Sequence, residues 1–95
     1  MRREFEWDQL KSVVNREKHG ISLEEACALW DGPVLEVRSH YSQESRRLAI
    51  GRIAGRFWTA VFTWRGKKIR LISVRRSREK ERKAYDEKEN DCREP

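Results

Sequence analysis

Ninety-five residues make one small domain, which buries roughly 60–65% of the surface its unfolded chain would expose and leaves no room for a large internal cavity. Hydrophobic residues are 37% and charged residues 40% of the chain, and 22 Lys and Arg against 16 Asp and Glu leave a formal charge of +6, an excess that favours a polyanionic partner, nucleic acid before a membrane surface. No apolar run approaches the ~20 residues of a membrane span, the start M-R-R-E-F-E-W-D lacks the apolar core of a signal peptide, and Cys27 and Cys92 suggest neither a disulfide framework nor a zinc cluster, so a reduced, cytoplasmic protein is expected.

Phe5–Trp7 predicts a short strand, and Asp8 is a natural N-cap for the helix after it. From Asp8 to His19 the apolar Leu10, Val13 and Val14 fall on one side. Lys11, Asn15 and Lys18 form a second stripe about 100° round. Gly20 fits the position that ends such a helix. Ser22 with Glu25 is a capping box, opening a short second helix through Ala26 and Leu29 to Trp30. Asp31-Gly32-Pro33 stops it.

Val34–Val37 is a strand candidate, followed by a polar turn at Ser39–Gln43. Arg46–Arg52 and Phe57–Trp64 read as strands around Ala54-Gly55-Arg56. The second is apolar on both faces, Phe57 and Val61 against Trp58, Ala60 and Phe62, as a central strand is. Arg65-Gly66-Lys67 is a hairpin turn from which Lys68–Val74 returns antiparallel. Ser77 to about Glu89 predicts a helix with only Ala84 and Tyr85 to bury and with opposed charges such as Glu79 and Lys83. Residues 1–88 form the single domain, and the charged tail 89–95 is expected to fray. The order β-α-α-β-β-β-β-α predicts an α+β fold: a small antiparallel sheet with two N-terminal helices and one C-terminal helix, all on one side.

The stretch Thr63–Tyr85, T-W-R-G-K-K-I-R-L-I-S-V-R-R-S-R-E-K-E-R-K-A-Y, carries the chemistry. Arg70 lies among Ile69, Leu71, Ile72 and Val74, and an ion inside an apolar run costs several kcal/mol unless a carboxylate or a bound anion pairs it. Arg75 and Arg76 close the strand where Ser77 can cap a helix. That end is already positive through the helix dipole, so two more cations there suit a phosphate. The pattern contains no Gly-rich phosphate loop, no Ser/His/Asp arrangement and no metal-spaced ligand set.

Five short motifs, in order and without large gaps, resemble the BrnT ribonuclease toxins. They are F-E-W-D at Phe5–Asp8, K-H-G-I-S at Lys18–Ser22 with Glu24-Glu25-Ala26, E-S-R-R-L-A-I-G-R at Glu44–Arg52, T-W-R-G at Thr63–Gly66, and I-R-L-I-S-V-R-R at Ile69–Arg76 with E-R-K-A-Y at Glu81–Tyr85. The family usually has a second acidic residue where Ser45 stands, an apolar or aromatic one at Arg47 and alanine at Val74. The resemblance implies a RelE-like fold and an RNA endonuclease that needs no metal. It also implies neutralisation by a ribbon-helix-helix antitoxin, in a heterotetramer.

Metal-free RNA cleavage needs a base for the 2′-hydroxyl, cations for the phosphorane and an acid for the 5′-oxygen. Arg70 and Arg75 are the principal cation candidates, with Arg52, Arg65 and Arg76 as phosphate binders, since a guanidinium fork bridges two phosphate oxygens. Lys18 and Arg82 join the phosphate-binding set. His19 changes charge near neutral pH, and either acid–base work or a capping role at its helix end accounts for it. Glu44 and Glu81 are bases or arginine partners. Tyr85, on one helix face with Arg78 and Arg82, stacks a base, donates a proton or anchors its helix. Trp64 stacks RNA or docks an antitoxin segment. The leading expectation is an mRNA-cleaving toxin; the alternative is a non-catalytic nucleic-acid-binding or regulatory subunit.

Overall fold

Period-two alternation assigns the strands of this chain to two different environments, and the helices follow from which face each must cover. The computed structural model describes residues 4–38 and 45–93, with side chains as far as 88. Its elements are β1 (Glu4–Glu6), α1 (Gln9–His19), α2 (Leu23–Ala26) running into a 3₁₀ turn (Cys27–Asp31), β2 (Leu35–Arg38), β3 (Arg46–Ile53), β4 (Arg56–Arg65), β5 (Lys68–Arg76) and α3 (Glu79–Arg93). The predicted order of elements is present. The last helix runs beyond Glu89, through the first part of the segment expected to fray.

The five strands form one sheet in the order β1-β5-β4-β3-β2. The β2–β3, β3–β4 and β4–β5 pairs are antiparallel, as expected, while β1 adds to the edge of β5 in parallel. β4 is central, and its even-numbered side chains Trp58, Ala60 and Phe62 are buried with Ile21, Leu23, Ala26 and Leu29 of the α1–α2 layer. Phe5, Trp30 and Phe62 stack edge to face at 5.3 Å through that core, an arrangement aromatic quadrupoles favour.

The register shifts once. Val61 lies opposite Ser73 but Phe62 lies opposite Leu71, so Ile72 is an extra residue in β5, a β-bulge. Before it, Ile69 and Leu71 face the core; after it, Val74 does so, three positions from Leu71 instead of two or four. The bulge therefore resets the alternation in mid-strand.

Two expectations are corrected. The helices do not share one side. Glu81 and Tyr85 of α3 reach Thr59 and Phe57, odd-numbered residues of β4 that point away from α1 and α2. The apolar stripe of α1 does not define its inner face either: Leu10, Val13 and Val14 are 78%, 49% and 46% exposed, whereas Ser12 and Asn15 are buried.

The reason is an unpaired strand edge. β1 covers only Lys68–Arg70 of β5, and beyond it the Asn15 side chain stands in for a neighbouring strand. Its amide donates to the Val74 carbonyl at 2.8 Å and accepts from the Val74 N–H at 3.1 Å, while also donating to the Ile21 carbonyl at 2.8 Å. Ser12 Oγ accepts from the Leu23 N–H. An apolar residue in either place would leave buried backbone groups without partners. The caps agree with the sequence pattern: Asp8 accepts from Leu10 and Lys11, Gly20 turns left-handed at φ 80°, and Ser22 and Glu25 form the capping box.

Replacing Asn15 by Ala should lower stability by about 2–4 kcal/mol, because three buried backbone groups lose their partner, and should lower Tm by roughly 8 °C or more. Leu10→Ala should change stability by less than about 0.5 kcal/mol. Thermal melts of the two variants decide it; equal losses would mean that α1 buries its apolar stripe.

Candidate nucleic-acid site on the cationic sheet face

Cross-strand partners point to the same side of a sheet, so the register fixes which arginines can meet. Arg46 lies opposite Thr63, Thr63 opposite Arg70, and Arg70 beside Glu6, a polar row crossing four strands on the face away from α1 and α2. Arg65 and Lys68 form the next step toward the hairpin. Further along the same face come Thr59 with Arg75, then Phe57 with Arg52.

Glu6 is the centre of the first group. Its Oε1 lies 3.9 Å from Arg70 Nη1 and 3.8 Å from Arg65 Nε. Both separations exceed hydrogen-bond length, and Oε1 is shut off from water without a hydrogen-bond partner. Two guanidinium groups thus share one carboxylate, leaving a net positive charge. The Arg65 and Arg70 side chains remain 64% and 34% exposed, so an anion arriving from solvent can reach both.

Arg75 is held differently. Its Nη1 and Nη2 donate to the two oxygens of Glu81, each at 2.8 Å. Glu81 Oε1 also accepts from the Arg78 N–H at 2.7 Å and from Thr59 Oγ1 at 3.1 Å, and the Thr59 and Ser77 hydroxyls meet at 2.8 Å. Burial alone would raise the Glu81 carboxyl, but the Arg75 fork, the Arg78 N–H and Thr59 outweigh it and hold the group below its ordinary value. The bonds to Glu81 push Arg75 upward against the opposing effect of burial. This bidentate pair ties the end of β5 to the first turn of α3.

A third group lies at the far end of β4. Arg52 and Arg82 place their guanidinium carbons 5.4 and 5.0 Å from the Phe57 ring centre, within cation–π range. From Phe57 to Arg65 is roughly 26 Å of strand. Tyr85 packs edge-on against Phe57 at 5.5 Å, is buried, and donates its hydroxyl to the Pro33 carbonyl at 3.1 Å, which is the geometry of an anchor for α3.

The remaining candidates lie elsewhere. Arg76 faces the other side, over Trp58 at 5.4 Å. Lys18 and His19 line a groove between α1 and β5 with Leu10, Val14, Ile72 and Ser73. Trp64 donates Nε1–H to Glu36 and packs on Phe62. Glu44 lies outside the described residues. Cys27 is no thiolate, since burial, reinforced by Glu24, raises its thiol to about 11. Among the described residues no three His, Cys, Asp or Glu side chains gather as metal ligands would.

Glu6 and Arg46 belong to the polar row without having been singled out by sequence reasoning. The signal for Glu6 was present: it alternates with Phe5 and Trp7, so whichever face takes the aromatics, Glu6 takes the other. Arg46 carried no comparable mark, because it opens a strand whose partner could not be inferred.

An exposed cationic face with an under-coordinated carboxylate at one end suits a phosphodiester substrate, and comparison with known families places the chain among the ribonuclease toxins of type II toxin–antitoxin systems. The family model described as "Ribonuclease toxin, BrnT, of type II toxin-antitoxin system" matches residues 7–81, a span from the entry to α1 through the Arg75–Glu81 pair. The chain belongs to the BrnT family. No curated protein matches it.

The sign of the Glu81 effect sets a pH test. A carboxyl held below its ordinary value of 4.5 adds stability that is fully present above that pH and is lost as pH falls through the lowered value. Glu81→Gln should be less stable by about 2–3 kcal/mol at neutral pH and should lose less stability than the unaltered chain on acidification below 4.5. Denaturant midpoints from pH 7 to pH 3 measure it, and parallel curves for the two proteins would contradict the assignment.

Proposed function

We propose that the chain is a metal-independent endoribonuclease that cleaves single-stranded mRNA in the cytoplasm and so arrests growth, with Glu6, Arg65 and Arg70 at the reacting phosphate. The observation that carries this reading is Glu6 Oε1, unbonded and 3.8–3.9 Å from two guanidinium groups that remain open to solvent. A carboxylate held purely for structure would close those distances to about 2.8 Å, as Glu81 does with Arg75.

Each residue has a distinct role. As the two arginines leave the carboxylate for the incoming phosphate and uncover it, Glu6 takes the proton of the 2′-hydroxyl, whose oxygen attacks the adjacent phosphorus. Arg65 and Arg70 turn from the carboxylate to the non-bridging oxygens as negative charge builds there. The bond from phosphorus to the 5′-oxygen breaks, leaving a 2′,3′-cyclic phosphate and a 5′-hydroxyl that takes its proton from solvent on this open face. Arg52 and Arg82 hold more distant phosphates or stack against a base beside Phe57. Arg75 serves by keeping α3 seated. The antitoxin is a ribbon-helix-helix protein in a heterotetramer on this reading, which rests on family likeness.

Purified without its antitoxin, the chain should cut single-stranded RNA in EDTA to products ending in cyclic phosphate. Glu6→Gln should lower the cleavage rate by about 10²–10⁴-fold and Arg70→Ala by about 10²–10³-fold, with RNA affinity kept by the Glu6 variant. Replacing Arg52 and Arg82 by Ala should instead weaken binding and reduce the log–log salt slope by about 0.7 for each phosphate no longer neutralised. Intact RNA with folded protein would favour a binding module. Full activity in Glu6→Gln would remove the carboxylate from the chemistry.

A further inference from the structure

The largest exposed apolar side chains among the described residues all lie on α1, and α1 cannot turn to hide them. Leu10, Val13 and Val14 stand 78%, 49% and 46% exposed, while the buried side of the helix is fixed by Asn15 on Val74 and Ser12 on Leu23. Rotating the apolar stripe inward would break those bonds, so it stays on the surface, where an apolar patch rimmed by charge suits a protein partner. Leu10 and Val14, one helical turn apart, form one wall of a groove of about 300 Å³ whose other wall is Ile72 and Ser73 of β5. Lys11, Lys18 and His19 line the same groove, and Asn15 forms its floor.

We propose that this groove is the docking surface for the partner antitoxin, entered by an acidic amphipathic segment. The segment would place apolar side chains at helical spacing between Leu10, Val14 and Ile72, and carboxylates against Lys11 and Lys18. Complementary charge selects this occupant. A second copy of a chain carrying +6 would bring lysines against lysines across a two-fold contact. RNA would leave the apolar wall wet. The groove is built on α1 and the bulged edge of β5, whereas the Glu6, Arg65 and Arg70 group lies on the open sheet face, so binding here is separable from cleavage. The proposal rests on membership of a type II toxin family and not on the assignment of the cleavage site.

The test is the affinity of the purified chain for its co-expressed and separately purified antitoxin, by calorimetry, in Leu10→Asp, Val14→Asp and Lys11→Glu variants. All three side chains are on the exposed part of α1, and circular dichroism checks that each variant folds. The expected result is a loss of antitoxin affinity of about tenfold or more in each variant, with RNA cleavage by the free chain unchanged and growth inhibition no longer relieved by the antitoxin. Affinities within twofold of the unaltered chain would overturn the proposal. So would variants that only convert a dimer of the chain to a monomer, which would assign the groove to self-association, or that weaken RNA binding alone. Retained antitoxin sensitivity with abolished cleavage would contradict both the groove and its separation from the nuclease site.

Discussion

One extra residue in a strand decides which side chains can act together. Arg70 and Arg75 are five positions apart, an odd number, so an unbroken β5 would send them to opposite faces. The bulge at Ile72 resets the phase, and both arginines point away from α1 and α2 while Ile69, Leu71 and Val74 all remain in the core. The same irregularity pushes Ile72 to the outer edge, where it walls the groove beside α1. Core packing, the cationic face and the apolar groove therefore depend on one local departure from regular pairing.

The cationic face is graded along its length. At one end a carboxylate is shared between two arginines at distances too long for hydrogen bonds; in the middle an arginine and a carboxylate close tightly; at the far end two guanidinium groups lean on an aromatic ring. These are three settings of one charge type. The tight pair fixes α3 and leaves no positive charge unmatched. The loose triad keeps one, together with a carboxylate oxygen that makes no hydrogen bond, and that asymmetry is why the reacting phosphate is proposed to lie there and not at the tight pair.

Much of the fold was legible in the residues. Asp8, Gly20 and the Ser22–Glu25 box announced their helix ends because caps act locally, and β4 announced itself as central because both of its faces are apolar. What could not be read depends on contacts between distant segments. Asn15 looks like a surface residue until Val74, far along the chain, is seen to lack a strand neighbour on its outer edge. The side chosen by α3 follows from Tyr85 meeting Phe57 and Glu81 meeting Thr59, which no helical period encodes. The bulge leaves no mark in I-R-L-I-S-V-R-R. For the site, Arg70 was visible as an ion inside an apolar strand and Arg65 as a cation at the hairpin turn. Nothing in the sequence showed that the adjacent Arg75 and Arg76, both read as phosphate-facing, would end on a sheet face with and without the other arginines respectively. Glu6 was passed over because its partner strand could not be known.

A crystal structure with a short RNA carrying a 2′-deoxy substitution at the cleavage position tests the central claim most directly, since the substrate binds and cannot react. The account predicts one non-bridging phosphate oxygen pair within hydrogen-bond distance of Arg65 and Arg70, with the substituted 2′ carbon facing Glu6. A phosphate seated instead between Arg52 and Arg82, with Glu6 still between its two arginines and no nucleotide near it, would contradict the account.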